Sequence, residues 1–438
     1  MGKIIGIRRE DKNDWERRAP LTPAAVKTLK EKFGIRTIVQ PSGLRVYSDE
    51  AYLRAGAEIS ESLSAADTVF AVKEVPDHFY EDGKTYMFFS HTIKGQAYNM
   101  KMLRTMIGKK VNLIDYERIV DENNRRLIFF GKYAGLAGMV ETLHGIGQKL
   151  KLQGFDTPLE KIRQPYIYES VEEAKRHIEE LGEEIGDAGF PPELSPFVFG
   201  FSGYGNVSQG AQEIFDLLPY KTVSVDVLDE NYENFAADNH NFYKVVLRED
   251  DLVRRKEGSF DLNEYYNHPE LYVSRFESYA EKMKVLVNCI YWTPKYPRLI
   301  TRRYLRDQAA LISHPNLRMI GDISCDIDGS IEITHKVTMP DNPSFTYFGK
   351  EDRFEDGIRS GGVSVMAVDN LPCEFPRESS DAFSDILTEF VNEVTLADFS
   401  SGYDSLVLPD PVKRALILHN GDFTPDYKYM ESFLRENE

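Results

Sequence analysis

The sequence predicts a parallel α/β protein of more than one domain, and three observations carry that reading. Residues 1–130 alternate short β-type runs with helical patterns, the arrangement of a parallel sheet covered by helices. A second strand–turn–helix unit opens at Pro196-Phe197-Val198-Phe199-Gly200-Phe201 and runs directly into Ser202-Gly203-Tyr204-Gly205. The length, 438 residues, gives room for two to three domains at about 100–200 residues each.

Taken in order, Ile4-Ile5-Gly6-Ile7 reads as the first strand. Thr22-Pro23 marks a helix start, with Thr as N-cap and Pro at the first helical position, and Val26, Leu29 and Phe33 share one face. Thr37 to Val39, Thr68 to Val72, Tyr86 to Phe89 and Val111 to Ile114 follow as strands. From Gly131 the period changes: Met139, Leu143, Ile146 and Leu150 recur at helical spacing, so a long helix leaves the first domain. Residues 153–195, polar and rich in Glu, Pro and Gly, read as peripheral helices. Further strands are expected at Thr222 to Val225, Val285 to Tyr291 and Arg318 to Ile323, with 229–280 an insertion or an elaborated helical crossover. Past Asp369, the residues Phe383, Ile386, Leu387, Phe390, Val391 and Val394 mark an amphipathic helix that Ser379 or Ser380 can cap.

Composition narrows the function classes. With 53 Lys and Arg against 71 Asp and Glu, the net charge of −18 opposes general binding to nucleic acid or an anionic membrane. Cys289, Cys325 and Cys373 form no CxxC pair and read as buried small hydrophobes in a reducing compartment. No apolar run approaches the roughly 18 residues of a membrane helix, and the start MGKIIGIRRED is charged too early for a signal peptide, so a cytoplasmic location is expected. The histidines show no HxH or HExxH spacing, and no metal is expected.

Gly203-x-Gly205, after an apolar strand and before a helix, is the strongest local signal. Glycines permit the sharp turn and bring the N–H groups of Asn206, Val207 and Ser208 toward a pyrophosphate at the positive end of the helix. The third glycine of GxGxxG is absent: Ser208 stands there and the next glycine is Gly210. Asp226, at the end of a β-type run, is expected to bind a ribose hydroxyl pair and so to favour NAD over NADP, with Lys221 softening that preference. The competing reading is a structural strand–helix turn.

Lys73 and His91 close two of the expected strands, at the sheet edge where ligands bind, and are residue types suited to proton-coupled amine or imine chemistry. By spacing alone, a surface lysine and a hydrogen-bonded histidine are the commoner outcome. Glu74, Asp115, Glu117 and Arg126 lie at similar strand ends and together suit a zwitterionic ligand, although surface ion pairs explain each in isolation. Arg18 of the pair Arg17-Arg18 is placed to clamp a carboxylate.

Arg8-Arg9-Glu10, Glu16-Arg17-Arg18-Ala19-Pro20-Leu21-Thr22-Pro23, Val72-Lys73-Glu74, Phe88-Phe89-Ser90-His91-Thr92 and Ile114-Asp115-Tyr116-Glu117 resemble the N-terminal domain shared by alanine dehydrogenases, transhydrogenase NAD-binding subunits and lysine-forming saccharopine dehydrogenases. The stretches Phe130 to Gly138, Gly203 to Ala211, Asn267-His268-Pro269-Glu270, Asp322 to Asp326 and Val368-Asp369-Asn370-Leu371-Pro372 resemble lysine-ketoglutarate reductase, and the likeness spans nearly the whole chain in order. The resemblance implies two Rossmann-like doubly wound domains with a cleft between them, the first discontinuous: 1–133 plus 378–438 for substrate and catalysis, 134–377 for the dinucleotide.

It further implies reductive condensation of L-lysine with 2-oxoglutarate to saccharopine. Lys73 and His91 fall on the acid–base pair, Arg18, Glu74, Glu117 and Arg126 on the substrate pocket, and Asp369 near the nicotinamide. NADPH is the implied cofactor, against the NAD preference read from Asp226. The expected partners are these small molecules, without nucleic acid or membrane, and a homo-oligomer is compatible with the pattern. The alternatives are another amino-acid or opine-type dehydrogenase on the same scaffold, or a non-catalytic dinucleotide-binding subunit.

Overall fold

In the computed structural model, residues 3–311 and 316–436 are described. Met1 and Gly2 of the charged start lie outside them. The chain divides into two units, Met1–Phe130 with Pro376–Glu438, and Gly131–Phe375.

In the first unit the short strands Ile4–Ile7, Arg36–Val39, Thr68–Phe70, Thr85–Phe88 and Asn112–Asp115 pair in parallel. Across the sheet the order is Asp422–Phe423, Leu416–His419, Asn112–Asp115, Thr85–Phe88, Thr68–Phe70, Ile4–Ile7, Arg36–Val39 and Glu58–Ile59, and Leu416–His419 runs antiparallel to both of its neighbours. Parallel strands are buried on both faces, and Thr68–Phe70, Thr85–Phe88 and Asn112–Asp115 are buried throughout. The four strands Asn112–Asp115, Thr85–Phe88, Thr68–Phe70 and Ile4–Ile7 are neighbours, so their carboxyl ends lie side by side along one edge.

The Pro23–Phe33 helix starts as its sequence dictates: the Thr22 side chain accepts from the Ala25 N–H and Pro23 takes the first position. Val26 and Leu29 are buried, but Phe33 is 43% exposed and leaves the expected face. The Pro376–Leu396 helix buries Phe383, Leu387, Val391 and Val394. Its serines are not caps. Ser379 and Ser380 lie inside the helix, where Ser380 Oγ accepts from the Ala19 N–H at 2.9 Å, and Ser384 Oγ accepts from Thr22 N–H at 2.9 Å. The helix thus fixes the Arg18–Thr22 segment.

The second unit has the sheet order Arg353–Asp356, Ser344–Phe348, Val363–Met366, Met319–Asp322, Val285–Asn288, Val198–Ser202, Phe242–Leu247 and Tyr220–Thr222. All pairs are parallel except those of Ser344–Phe348 with its two neighbours. Gly131–Leu152 is the long helix expected from its period, with Met139, Leu143, Ile146 and Leu150 buried. Gly135 and Gly210 let it meet the Asn206–Phe215 helix backbone to backbone: a Cβ on Gly135 would stand 2.0 Å from Val207 O, and one on Gly210 2.2 Å from Lys132 O.

Two expectations fail here. Thr222 to Val225 is not a strand; the strand ends at Thr222, Ser224 caps a helix over Val225–Phe235, and Asp226 sits exposed in its first turn. The 229–280 stretch is no mere insertion, because it contains Phe242–Leu247, the strand that separates Val198–Ser202 from Tyr220–Thr222. Of the cysteines Cys373 is buried, whereas Cys289 and Cys325 are half-buried. Among the described residues no helix is long and apolar enough to cross a membrane.

Candidate functional site

The edge shared by four strands of the first unit gathers the titratable residues. Each strand ends where its side chains leave the apolar core, and the next few residues carry polar groups: Arg8 and Glu10, then Lys73 and Glu74, then Ser90 and His91, then Asp115 and Glu117. His91 Nδ1 stands 2.7 Å from Glu74 Oε1. An ionised carboxylate only accepts, so Nδ1 carries the proton and Nε2 is left to exchange one. The other Glu74 oxygen takes Lys12 Nζ at 2.7 Å. Burial raises the Glu74 carboxyl, but the hydrogen bonds and charges of His91 and Lys12 outweigh it and bring it down to about 2. It is an anion throughout the neutral range.

Lys73 is half-buried, its N–H is held by Glu10 Oε2 at 3.0 Å, and its ammonium has no carboxylate in ion-pair range among the described residues. Glu117 pairs with Arg126, and Phe89 stacks on the His91 ring. Arg18 is placed otherwise than expected: it is 2% exposed, engages Glu16 bidentately through Nε at 2.8 Å and an Nη at 2.6 Å, and lies 4.2 Å over the Phe130 ring. This guanidinium is held by Glu16 and by the face of the Phe130 ring.

Three groups here escaped the sequence reading or were underweighted. Glu10 is buried and accepts the N–H groups of Val72 and Lys73; burial and the Glu16 charge raise it to about 7 against those bonds. Asp115, fully buried, accepts from the Ser90 N–H, the Ser90 hydroxyl and the Glu117 N–H, and burial raises it to about 6. Glu16 completes the Arg18 pair. For Glu10 and Asp115 the one sequence signal was a carboxylate at or just past a strand end.

In the second unit the glycine turn fits a dinucleotide phosphate. Gly203 has φ +85°, a conformation L side chains rarely adopt, and its N–H is held by Leu247 O at 3.0 Å. A Cβ on Gly205 would meet nothing within 4 Å, so the turn opens onto free space. Among the described residues the N–H groups of Asn206, Val207 and Ser208 have no protein acceptor, as expected of a first helical turn, and remain to be satisfied by an anion or by water. Ser208 itself is buried, its Oγ accepting from Gln212 Nε2 at 2.9 Å. Gly210, not residue 208, provides the close packing that the third glycine of the motif supplies elsewhere.

The strand beside the glycine turn ends at Leu247 and delivers Arg248 there, stacked 5.5 Å from the Tyr204 ring and without a carboxylate in ion-pair range among the described residues. Asp226 belongs two strands away, its charge felt by Asp251 and Tyr279. Lys221 is occupied by Asp238 at 2.6 Å. Toward the other side of the turn, Ser202, Asn288, Asp322, Ser330 and Thr334 form a buried hydrogen-bond network at the strand ends. Asp369 is exposed three residues past Val363–Met366, on the same edge.

Residues 6–137 match the family model "Alanine dehydrogenase/PNT, N-terminal domain". Over 99% of its length the chain is 39% identical to an alpha-aminoadipic semialdehyde synthase of Arabidopsis thaliana and 37% identical to the mitochondrial one of Bos taurus, covering 42% and 48% of those proteins. It therefore spans about half the length of these curated relatives. A saccharopine dehydrogenase [NAD(+), L-lysine-forming] of Neurospora crassa is 26% identical over 87% of this chain and 88% of its own. Among solved structures, an L-alanine dehydrogenase superposes with TM-score 0.62 at 15% identity, over 99% of this chain and all of its own, and the transhydrogenase of Sinorhizobium meliloti with 0.56 at 15%, over 96% and all of its own. At that identity they speak for the fold, two doubly wound α/β units. Residues 6–137 are therefore similar to the alanine dehydrogenase/PNT N-terminal domain, and the chain is similar over most of its length to alpha-aminoadipic semialdehyde synthases and lysine-forming saccharopine dehydrogenases.

Proposed function

We propose that the chain is an NAD(P)-dependent oxidoreductase that condenses the side-chain amine of L-lysine with 2-oxoglutarate and reduces the resulting imine to saccharopine. The observation that carries the proposal is the His91–Glu74 contact, made just past the ends of the adjacent strands Thr85–Phe88 and Thr68–Phe70 and next to Lys73, in a chain similar over 87% of its length to a protein named saccharopine dehydrogenase [NAD(+), L-lysine-forming]. Met1–Phe130 with Pro376–Glu438 would act on the substrates, and Gly131–Phe375 would hold the dinucleotide. A bound reduced nicotinamide supplies the hydride.

The chain's own residues have the remaining work. The incoming ammonium must lose a proton before it attacks the oxo carbon, water must leave, and the imine nitrogen must be protonated to accept hydride at carbon. Lys73 Nζ and His91 Nε2 are the exchangeable groups, and the permanently charged Glu74 orients the imidazole and stabilises its cation. Glu117 with Arg126 offers both signs to a zwitterion. Gly203, Gly205 and the amides of Asn206, Val207 and Ser208 would hold the pyrophosphate, and Asp369 would lie on the nicotinamide side.

For the cofactor we read NADP(H). The carboxyl end of the strand neighbouring the glycine turn is where a dinucleotide's adenosine ribose is recognised, and the residue there is the cation Arg248 rather than Asp226. The test is oxidation of NADPH and, separately, NADH with 2-oxoglutarate plus L-lysine and each omitted in turn. Turnover that needs both substrates and runs faster with NADPH is expected. Turnover with an oxo acid and ammonia alone would move the reading to an amino-acid dehydrogenase. Lys73→Met and His91→Gln should each lower turnover by about 10²–10⁴-fold with dinucleotide binding retained, and near-normal turnover in both would remove them from catalysis.

A further inference from the structure

We propose that Glu10 and Asp115 are positioning residues: two buried carboxylates, not placed to touch substrate, that clamp the backbone of the segments carrying Lys73, His91 and Glu117. The inference rests on the acid–base roles proposed above.

Both oxygens of each carboxylate are engaged, and each by a different backbone donor. Glu10 Oε1 accepts from the Val72 N–H at 2.7 Å and Oε2 from the Lys73 N–H at 3.0 Å. These two amides follow the Thr68–Phe70 strand and have no ladder partner, so Glu10, arriving from beyond the neighbouring Ile4–Ile7 strand, extends the sheet's restraint by two residues. Asp115 Oδ1 accepts from the Glu117 N–H at 2.7 Å, and Oδ2 from the Ser90 N–H at 3.1 Å and from its hydroxyl. It therefore ties together the ends of two adjacent strands.

The clamp on Ser90 bears on the next residue. His91 has φ +49°, which a residue with a Cβ rarely adopts unless its surroundings impose it. Asp115 before it and Asn99 Nδ2, donating to the carbonyls of Ser90 and His91 at 3.0 and 3.2 Å, impose it here. Among the described residues neither Glu10 nor Asp115 has an ion-pair partner, so neither is explained as half of a salt bridge; their donors are main-chain groups and the Ser90 hydroxyl. A carboxylate is needed because a side-chain amide has one acceptor atom, and its NH₂ would face an N–H donor.

The experiment compares wild type with Glu10→Gln and Asp115→Asn in the full chain. Amide hydrogen exchange should rise at Val72 and Lys73 in the first variant and at Ser90 and Glu117 in the second, with the interior strand amides unchanged. The kcat with lysine and 2-oxoglutarate should fall by about 10–100-fold, as expected when reacting groups are misaimed, while KM and the dinucleotide Kd stay within about twofold. A general loss of structure would instead raise exchange throughout and weaken dinucleotide binding. Should Asp115→Asn not fold, Ser90→Ala, which removes the hydroxyl and its bonds to Asp115 and Thr92 but keeps the Ser90 N–H, takes its place with a smaller fall in kcat. Unchanged exchange at the named amides, or unchanged kcat despite faster exchange, overturns the proposal. Absence of turnover in wild type removes the reaction reading on which the aiming of Lys73 and His91 depends, and the exchange result then stands or falls on the clamp alone.

Discussion

The contact between the Gly131–Leu152 and Asn206–Phe215 helices gives a prediction whose sign depends on a single added methyl group. Gly210→Ala would place Cβ 2.2 Å from Lys132 O, a backbone atom that cannot rotate away. Restoring even a 3.0 Å separation requires the helices to part by about 0.8 Å, a form of overpacking that costs about 3 kcal/mol or more. Alanine's helix propensity returns about 1 kcal/mol, leaving a loss of about 2 kcal/mol. In a unit of this size that corresponds to a fall in Tm of about 4–8 °C. Gly186, in the Val171–Ala188 helix, is the matched control, because a Cβ there meets nothing closer than Pro219 Cβ at 4.0 Å. Gly186→Ala should gain the propensity term alone, about 1 kcal/mol, and raise Tm by about 2–4 °C. Scanning calorimetry of the three proteins reads both shifts. If Gly210→Ala were as stable as wild type, or if both variants moved Tm in the same direction, the helix contact would be looser than the structure has it.

Arg18→Met deprives the buried Glu16 of its bidentate partner and should destabilise the first unit by about 3–5 kcal/mol. A normal melting curve together with a raised KM for 2-oxoglutarate would instead make Arg18 a substrate clamp. The buried carboxyls Glu141 and Glu374 interact with each other, and burial raises both, Glu141 from 4.5 to about 7, with the Glu141 charge adding to the rise at Glu374. Because the folded state keeps a proton that the unfolded chain has released, their contribution is full below about pH 4.5 and is lost as pH rises through about 7. Wild type should therefore lose more Tm between pH 5 and pH 8 than Glu374→Gln; equal losses would refute the shared proton.

Local chemistry was readable from the residues. Thr22-Pro23 starts a helix for reasons internal to the dipeptide, Gly203 turns because it lacks a Cβ, and the apolar runs that form the inner strands need both faces covered. The strand ends that bear Lys73, Glu74, His91 and Glu117 could be counted along the chain for the same reason, although their juxtaposition could not.

What the tertiary structure decided is non-local. Phe242–Leu247 takes the place beside Val198–Ser202 and pushes the earlier Tyr220–Thr222 strand to the edge, so Arg248 stands where Asp226 was expected. Strand pairing joins residues 45 apart in sequence through hydrogen bonds that have no signature in either strand alone. Glu10 and Asp115 are the same case at the level of single residues. As letters they are two more carboxylates in an acidic chain; burial at strand ends turns them into acceptors for main-chain groups up to 63 positions away, and only the packed sheet brings those groups together.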